Sequence, residues 1–441
     1  MKLLRNLLIG SYLIGGLAWP AFAQTETVTL PEAIDRALEH ATTTRIAEAE
    51  KEAAEAGSGL LSSDYIPKIN SSLSYTRSQF PQIVTPIRRQ GAFPPLDDQL
   101  YEANIQADWE IFDFGESRAI RQKAKALADA ANVKYELAKM ETIESTVSAF
   151  VQLQQLRELR RVQQGRLEAL KKSKEQLESL YREGRIANVD LLKIEDTIVD
   201  AKTSVTATNN NIDQILESLS DDLALQDQLV LEEVVPLKFE NDFLFNPDHA
   251  PAEQAPSVMA AREKKQAAEF EVKASYRAFL PQFNLFAAEQ LRSGSDLEID
   301  DQWMVGIRLN IPLFAGKKIV NNQVKKSEAK SQEIRLEQTR QQYRQQLNKL
   351  INAQFETQER IQATETRVTY LEETYRVEFT SYRKGRTTLT DLLTTESKLN
   401  SVRAELIARR AQLRILNLNT AVLTGQLTRE IAIKMAQGEQ L

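Results

Sequence analysis

Two short charged segments contain the residues best suited to chemistry. Residues 181–185 read Tyr-Arg-Glu-Gly-Arg, and residues 382–386, which lie 201 positions later, read Tyr-Arg-Lys-Gly-Arg. Six residues after each glycine stands an aspartate, Asp190 or Asp391, followed by two leucines. Glycine permits the backbone conformation of a tight turn, and carboxylate, guanidinium and phenol groups near such a turn can form charge-assisted hydrogen bonds. The two segments therefore predict a pair of equivalent turns with ionic contacts.

Each of these features also has an ordinary structural explanation. Because Asp190 and Asp391 both precede a Leu-Leu pair, they could be the N-caps of returning helices. Capping is compatible with a functional role. Arg185 and Arg386 could be solvated charges at the turns, which is the simpler explanation for both.

The repeated segments belong to a duplication that covers most of the chain. Gly115 and Gly316 are also 201 positions apart, whereas residues 65–70 and 279–284 match at an offset of 214. The change in offset predicts a length difference in a loop. A unit of this length is too long for a solenoid repeat. It indicates two similar halves that complete one architecture together.

Composition argues against catalysis. The 441 residues include no cysteine and two histidines, and no nucleophile elbow, phosphate-binding loop or metal-ligand cluster is present. The net charge of −6 is spread along the chain, which offers no basic surface for nucleic acid. We therefore expect no enzymatic activity, no cofactor, no metal site and no nucleic-acid partner.

The N-terminus has the pattern of a secretory signal. Lys2 and Arg5 precede an apolar run, and Ala21 and Ala23 form a small-residue cleavage site, which predicts a signal peptide at 1–23. An uncleaved anchor helix is the alternative. No run of 18 apolar residues follows, so the sequence predicts an exported chain without a membrane-spanning helix.

Two long helices and two β-hairpins are predicted in the remainder. The intervals between Gly115 and Tyr181 and between Gly316 and Tyr382 contain no proline and keep coiled-coil spacing. A leading helix is predicted over residues 31–64. Period-2 alternation over residues 101–111 and 303–311 predicts strands of about ten residues. The predicted boundaries are a first repeat at 24–219 (hairpin 67–114, helices 116–219), a linker at 220–256, a second repeat at 257–428 (hairpin 281–314, helices 317–425) and a tail at 429–441.

The strands alternate between an apolar and a polar face and end in aromatic residues. A soluble β-sandwich has such faces, but aromatic ends and ten-residue length are typical of a membrane β-barrel. Four strands cannot close a barrel, and an open sheet edge cannot face lipid. The chain must then share a barrel with other copies, two giving eight strands and three giving twelve. The residues predicted to face lipid are Tyr101, Ile105, Trp109, Ile111, Trp303, Val305, Ile307 and Leu309.

The chain resembles the TolC-type outer-membrane efflux proteins over essentially its whole length after the signal. The resemblance rests on the duplicated helix–hairpin–helix layout, the strand ends at 109–113 and 311–314, and the paired glycine turns followed by Asp-Leu-Leu. It implies a mainly α-helical homotrimer with a 12-stranded barrel in the outer membrane and a long helical tunnel in the periplasm. It also implies a periplasmic adaptor and an inner-membrane transporter of the RND or ABC type as partners.

The resemblance further implies roles for the turn residues. Asp391 matches an aspartate that rings the periplasmic constriction, although Thr394 stands where well-studied members carry a second acid. Asp190 and Tyr382 match residues of the closed-state links. Arg386 lies one residue before the position of the linking arginine, which is Thr387 here. The turns themselves, with Gly184, Arg185, Gly385 and Arg386, match the adaptor-contact region.

The predicted function is a passive exit duct of a tripartite efflux or type I secretion system, opened by untwisting of the helical tip. The alternative is a periplasmic coiled-coil adaptor without a channel. Adaptors normally contain one helical hairpin with β-rich domains, so the two amphipathic strand pairs distinguish the two functions.

Overall fold

The computed structural model describes residues 26–60, 66–84, 93–94, 96–224, 229–230, 244–245, 251–296 and 298–438. The predicted signal at 1–23 lies outside the described residues, as does most of the predicted linker. The elements in chain order are β1 (Glu26–Thr27), α1 (Leu30–His40), α2 (Thr42–Leu60), β2 (Lys68–Ile83), β3 (Leu96–Phe112), α3 (Glu116–Arg182), α4 (Asn188–Asp222), β4 (Leu229–Val230), α5 (Pro256–Arg277), β5 (Gln282–Ser293), β6 (Asp300–Asn310), α6 (Gly316–Arg383), α7 (Leu389–Thr424) and α8 (Arg429–Gln437).

The two predicted hairpins form one antiparallel sheet in the order β2-β3-β5-β6. The strands of the first hairpin contain 16 and 17 residues, longer than predicted, and those of the second contain 12 and 11. The extra length follows a register shift between Arg77 and Gln82, after which Gln82 pairs with Asp97. The first hairpin is longer than the second, and part of the extra length that was predicted to lie in a loop therefore lies in its strands.

One face of this sheet is apolar across all four strands. Directly opposed residues of an antiparallel pair share a face. Trp109 is opposite Leu285, which is opposite Ile307, and Tyr101 is opposite Tyr75. Seven of the eight residues predicted to face lipid lie on this face. Ile111 is the exception, because it falls in a register shift between Glu110 and Phe112.

The opposite face is polar and held together by charge. Arg292 of β5 forms an ion pair with Glu102 of β3 at 2.8 Å. Arg308 lies 4.8 Å from the ring centroid of Phe286. That ring lies over Gly306, where a Cβ atom would come within 2.8 Å of it. The sheet thus has the two-sided character predicted from the alternation.

The long helices are α3, of 67 residues, and α6, of 68 residues, each about 100 Å long at 1.5 Å per residue. Near the sheet, α3 packs between α2 and α5, and α5 packs against α6. Farther from the sheet, α3 packs between α4 and α7, and α7 packs against α6. The helices therefore form a single row in the same order as the strands. Within the described chain, the row ends in α2 and α4 on one side and in α6 on the other.

The predicted leading helix is two helices. The chain turns at Ala41, with φ −58° and ψ 124°, between α1 and α2. Thr29 and Glu32 form a capping box at the start of α1. The break lets α1 leave the row and pack, together with α8 from the predicted tail, against the middle of α3. The resulting core contains Ile34, Phe150 and Met435.

An ion pair between Arg166 and Glu396, called the inter-repeat pair below, joins the two repeats on the tip side of this core. Nε and Nη2 of Arg166, on α3, donate to the two carboxylate oxygens of Glu396, on α7, at 2.9 and 3.0 Å. The two side chains are only 12% and 9% exposed. Asn400 also donates to Glu396, and Asp200 of α4 lies 3.8 Å from Arg166. A bidentate pair of this kind fixes the lateral register of the neighbouring helices.

We expect Glu396→Gln to lower the free energy of unfolding by about 2–3 kcal/mol, because it leaves a nearly buried guanidinium without its carboxylate. The matched control is Glu373→Gln, which breaks another two-contact pair, with Arg376, whose side chains are 59% and 74% exposed. That change is expected to cost less than about 1 kcal/mol. The measurement is urea unfolding in detergent, followed by circular dichroism. Equal losses in the two variants would contradict a special role for the inter-repeat pair.

Candidate functional site at the helical tip

The two predicted turns end α3 and α6 with the same backbone geometry. Gly184 has φ +71° and Gly385 has φ +68°, in the left-handed region. The amide of Arg185 donates to the carbonyl of Leu180, and the amide of Arg386 donates to that of Ser381, both at 2.9 Å. This six-residue closure is a Schellman motif, which satisfies carbonyl groups at the helix end. The glycines are therefore required by the turn, as predicted.

The returning helices begin differently in the two repeats. Thr388 is the N-cap of α7, and it forms a capping box with Asp391. Ala187 is the N-cap of α4, and its side chain makes no capping bond. The interpretation of Asp190 and Asp391 as N-caps is therefore wrong. Both occupy the third helical position, because the N-cap residue lies three residues before each aspartate.

The capping box sets the ionisation of Asp391. Its Oδ2 atom accepts hydrogen bonds from the Thr388 hydroxyl at 2.6 Å, the Thr388 amide at 3.4 Å and the Thr387 hydroxyl at 3.3 Å. These bonds, foremost that from the Thr388 hydroxyl, lower the pKa of the exposed Asp391 carboxyl. Asp391 thus presents a negative charge that persists into acidic conditions. Thr394, one turn further on, is exposed and donates to the carbonyl of Thr390.

Asp190 and Tyr382 meet in a cleft of about 490 Å³ between the two turns. Burial, and then the charge of Asp190, raise the pKa of the Tyr382 phenol. The Tyr382 hydroxyl is buried and has no hydrogen-bond partner among the described residues. The structure therefore brings together two of the three residues predicted for the closed-state link.

The arginines of the cleft are not the one predicted for the link. Arg185 and Arg383 line it, whereas Arg386 is exposed and lies outside the lining. Sequence reasoning also missed Lys193, whose ammonium group donates to the Thr390 hydroxyl at 2.9 Å and connects the two returning helices. No repeat or motif marked Lys193, because its counterpart at the 201-residue offset is Thr394.

An apolar cluster supports the charged tip. Leu177, Ile194, Leu389 and Leu392 are buried together, and Phe379 packs against them. Leu392 is the first leucine of the Asp-Leu-Leu motif in the second repeat. The motif therefore combines an exposed acid with a leucine that anchors the turn to the neighbouring hairpin.

In the described ranges, no group of three or more histidine, aspartate or glutamate side chains is placed to hold a metal ion. No helix in those ranges combines the length and apolarity needed to span a membrane.

The fold and the tip together define a class of protein, namely paired long helical hairpins that continue from an amphipathic antiparallel sheet. The sequence model of the outer membrane efflux protein family matches residues 33–223 and 250–426. The chain belongs to this family. It is an outer membrane efflux protein, and this membership favours the channel over the adaptor alternative.

Solved structures share this fold over nearly their whole length. The CmeC outer membrane channel of Campylobacter jejuni is 16% identical, with a TM-score of 0.74 over 99% of this chain and 98% of that chain. The MtrE channel of Neisseria gonorrhoeae is 18% identical (TM-score 0.75, 96% and 99%). The outer membrane protein VceC of Vibrio cholerae is 20% identical (0.73, 90% and 96%). A comparison with curated protein sequences gave no significant match.

We expect Gly385→Ala to loosen the tip, because an alanine in the left-handed region costs about 1 kcal/mol. Nothing lies within 4 Å of the added Cβ atom, so the effect reports backbone strain alone. Hydrogen exchange of peptides that cover residues 377–392 should become about fivefold faster. Gly57→Ala, in the interior of α2 and equally free of contacts, is the control and should leave tip exchange unchanged. Identical exchange in both variants would count against the turn geometry.

Proposed function

We propose that the chain works as a homotrimer, whose three sheets close a 12-stranded barrel that continues into a tunnel of long helices. The observation that carries this proposal is the matching order of strands and helices. Within the described chain, β2 and β6 each have one unpaired edge, and the helix row ends on the same two sides. A contact between β6 of one copy and β2 of the next is head-to-tail, and such contacts form rings when they close.

Exposed apolar side chains on the terminal helices support ring closure. Phe355 and Tyr370 of α6 are exposed, and so are Leu192 and Val199 of α4. Single exposed apolar residues are common, but these lie on the two helices that have a neighbour on one side only. In a ring, α6 of one copy lies beside α4 of the next, which buries part of this surface.

At the periplasmic tip, three copies of Asp391 surround the constriction in this proposal. Each carboxylate is exposed and fixed in direction by its bonds to Thr388, which supports a defined ring of negative charge. Such a ring attracts cations and holds back anions. Thr394 adds neutral hydroxyl groups one turn further along, so the ring contains one layer of acid.

The cleft that contains Asp190 and Tyr382 is our candidate for the closed-state link. Among the described residues the buried Tyr382 phenol has no hydrogen-bond partner, and the charge of Asp190 acts on it, so a side-chain movement that brings the two together lets the phenol donate a hydrogen bond to the carboxylate. Arg386, exposed beside the turn, is free to approach Asp190 of a neighbouring copy. Untwisting of the α6–α7 hairpin away from α3 and α4 would break these contacts and widen the tip.

The partners we propose are a periplasmic adaptor, which contacts the turns at Gly184, Arg185, Gly385 and Arg386, and an inner-membrane RND or ABC transporter. The duct itself is passive and carries out no reaction. The transporter supplies the energy and sets the selectivity for the exported substrate. The apolar sheet face with Trp109 and Trp303 contacts outer-membrane lipid.

The first test is the native mass of the protein purified from outer membranes in mild detergent and corrected for bound detergent. A trimer of the 50.0 kDa chain, less its predicted signal, is expected. The physical reason is that an open sheet edge in lipid leaves backbone groups unpaired. A water-soluble monomer or dimer would overturn the channel architecture.

The second test is the block of the open pore by multivalent cations in planar bilayers. Asp391→Asn should weaken the block markedly, because it removes the charge and keeps the size of the side chain. Glu373→Gln also removes one exposed acid of the second repeat, but away from the tip, and should leave the block unchanged. An Asp391→Asn pore with full block would remove Asp391 from the constriction.

A further inference from the structure

The inter-repeat ion pair has a counterpart that the single chain cannot form. Arg166 and Glu396 belong to different repeats, and both have an identical residue in the other repeat at the 201-residue offset. The counterpart of Arg166 is Arg367, and the counterpart of Glu396 is Glu195. The offset is the same at Gly115 and Gly184, which bracket Arg166, so no insertion separates the two positions.

In one chain the counterparts lie on opposite sides of the helix row. Arg367 is on α6 and Glu195 is on α4, and the order of the helices at this level is α4-α3-α7-α6. The Arg166–Glu396 pair joins the long helix of the first repeat to the returning helix of the second. The equivalent neighbours in a ring are α6 of one copy and α4 of the next. Repeating the same contact once more therefore requires a second copy.

Both counterparts have the exposure and charge for this contact. Arg367 is 57% exposed and pairs with Glu405 of its own hairpin at 3.4 Å. Glu195 is 48% exposed and pairs with Lys174 of its own hairpin at 2.7 Å. Arg166 has the same arrangement, since it approaches Asp200 of its own hairpin and binds Glu396 of the neighbouring one. Exposed pairs such as these are weak, and they leave room for a second partner.

Arg166 and Arg367 also lie at the same distance from the turns that end their helices. Arg166 precedes Gly184 by 18 residues, and Arg367 precedes Gly385 by 18 residues, which places each about 27 Å from its turn along a straight helix. The neighbours of the two pairs differ. Asn400, which donates to Glu396, and Tyr375, on which the charge of Glu396 acts, correspond to Val199 and Lys174 in the first repeat. The second contact therefore has Lys174 as an additional cation in place of the amide.

We propose that Arg367 of one copy forms an ion pair with Glu195 of the next, an inference that rests on the proposed homotrimer. The ring then contains six arginine–glutamate contacts at one level, three within chains and three between them. This belt holds neighbouring hairpins in register above the tip, which is the part of the tunnel that has to move.

The absence of cysteine from the sequence permits a direct test. The double variant Arg367→Cys/Glu195→Cys is treated in outer membranes with a short bifunctional thiol reagent, because paired arginine and glutamate hold their Cα atoms too far apart for a disulfide. We expect loss of the monomer band on denaturing gels and the appearance of linked dimers and trimers. Arg166→Cys/Glu396→Cys, treated in the same way, should be linked only within the monomer.

A register control and a mass measurement separate the possible outcomes. Arg367→Cys/Lys202→Cys places the second thiol two turns along α4, about 10 Å away, and should give much less linked product. A variant that remains trimeric in detergent but links no chains overturns the Arg367–Glu195 pair and leaves the homotrimer intact. A cysteine-free parent that is not trimeric overturns the homotrimer itself, and the pair with it.

Discussion

Two strand edges, those of β2 and β6, have no partner strand within the described chain, and this is the constraint on which the proposed architecture depends. In the proposed barrel the surrounding hydrocarbon offers no hydrogen-bond partner, so β2 and β6 pair with strands from other copies. Because each strand leads into a helix, the order of strands around a barrel becomes the order of helices around a tunnel. The single row of helices, with α3 between α4 and α7, follows from this requirement. A 100 Å helix gains its stability from such lateral neighbours rather than from its own propensity.

Because the chain is duplicated, similar contacts can form within one chain and between copies, but those between copies have no covalent connection. The Arg166–Glu396 pair joins the hairpins within a chain, where covalent connection keeps the partners close. A contact between copies has no such connection and needs a specific interaction to set its register. The constant 201-residue offset along the long helices places Arg367 and Glu195 at the same level of the row as Arg166 and Glu396. The charged contacts between helices can therefore be reused around the ring.

Much of this architecture could be predicted from the sequence because its signals are local. Glycines at 184 and 385 mark the helix ends, and alternation around Trp109 and Trp303 marks the strands. The break at Ala41 was not predictable, because no glycine or proline marks it and the packing of α1 against α3 decides it. The extension of β2 beyond Arg77 likewise depends on pairing with β3. At the tip, Lys193 and Thr388 escaped notice because neither recurs in the other repeat, although Thr388 followed by Asp391 has the spacing of a capping box.

The two turns share their backbone geometry and differ in their chemistry. In the proposed channel this difference gives the two aspartates different roles. Thr388 holds Asp391 ionised and exposed, whereas Ala187 leaves Asp190 without a capping partner and free to face Tyr382. An acid fixed at a helix start suits a charge that must keep its place in a pore. An acid beside a buried phenol suits a contact that must form and break. The residues at 187 and 388 therefore decide which of the two carboxylates is fixed by a capping box and which is left to face the phenol.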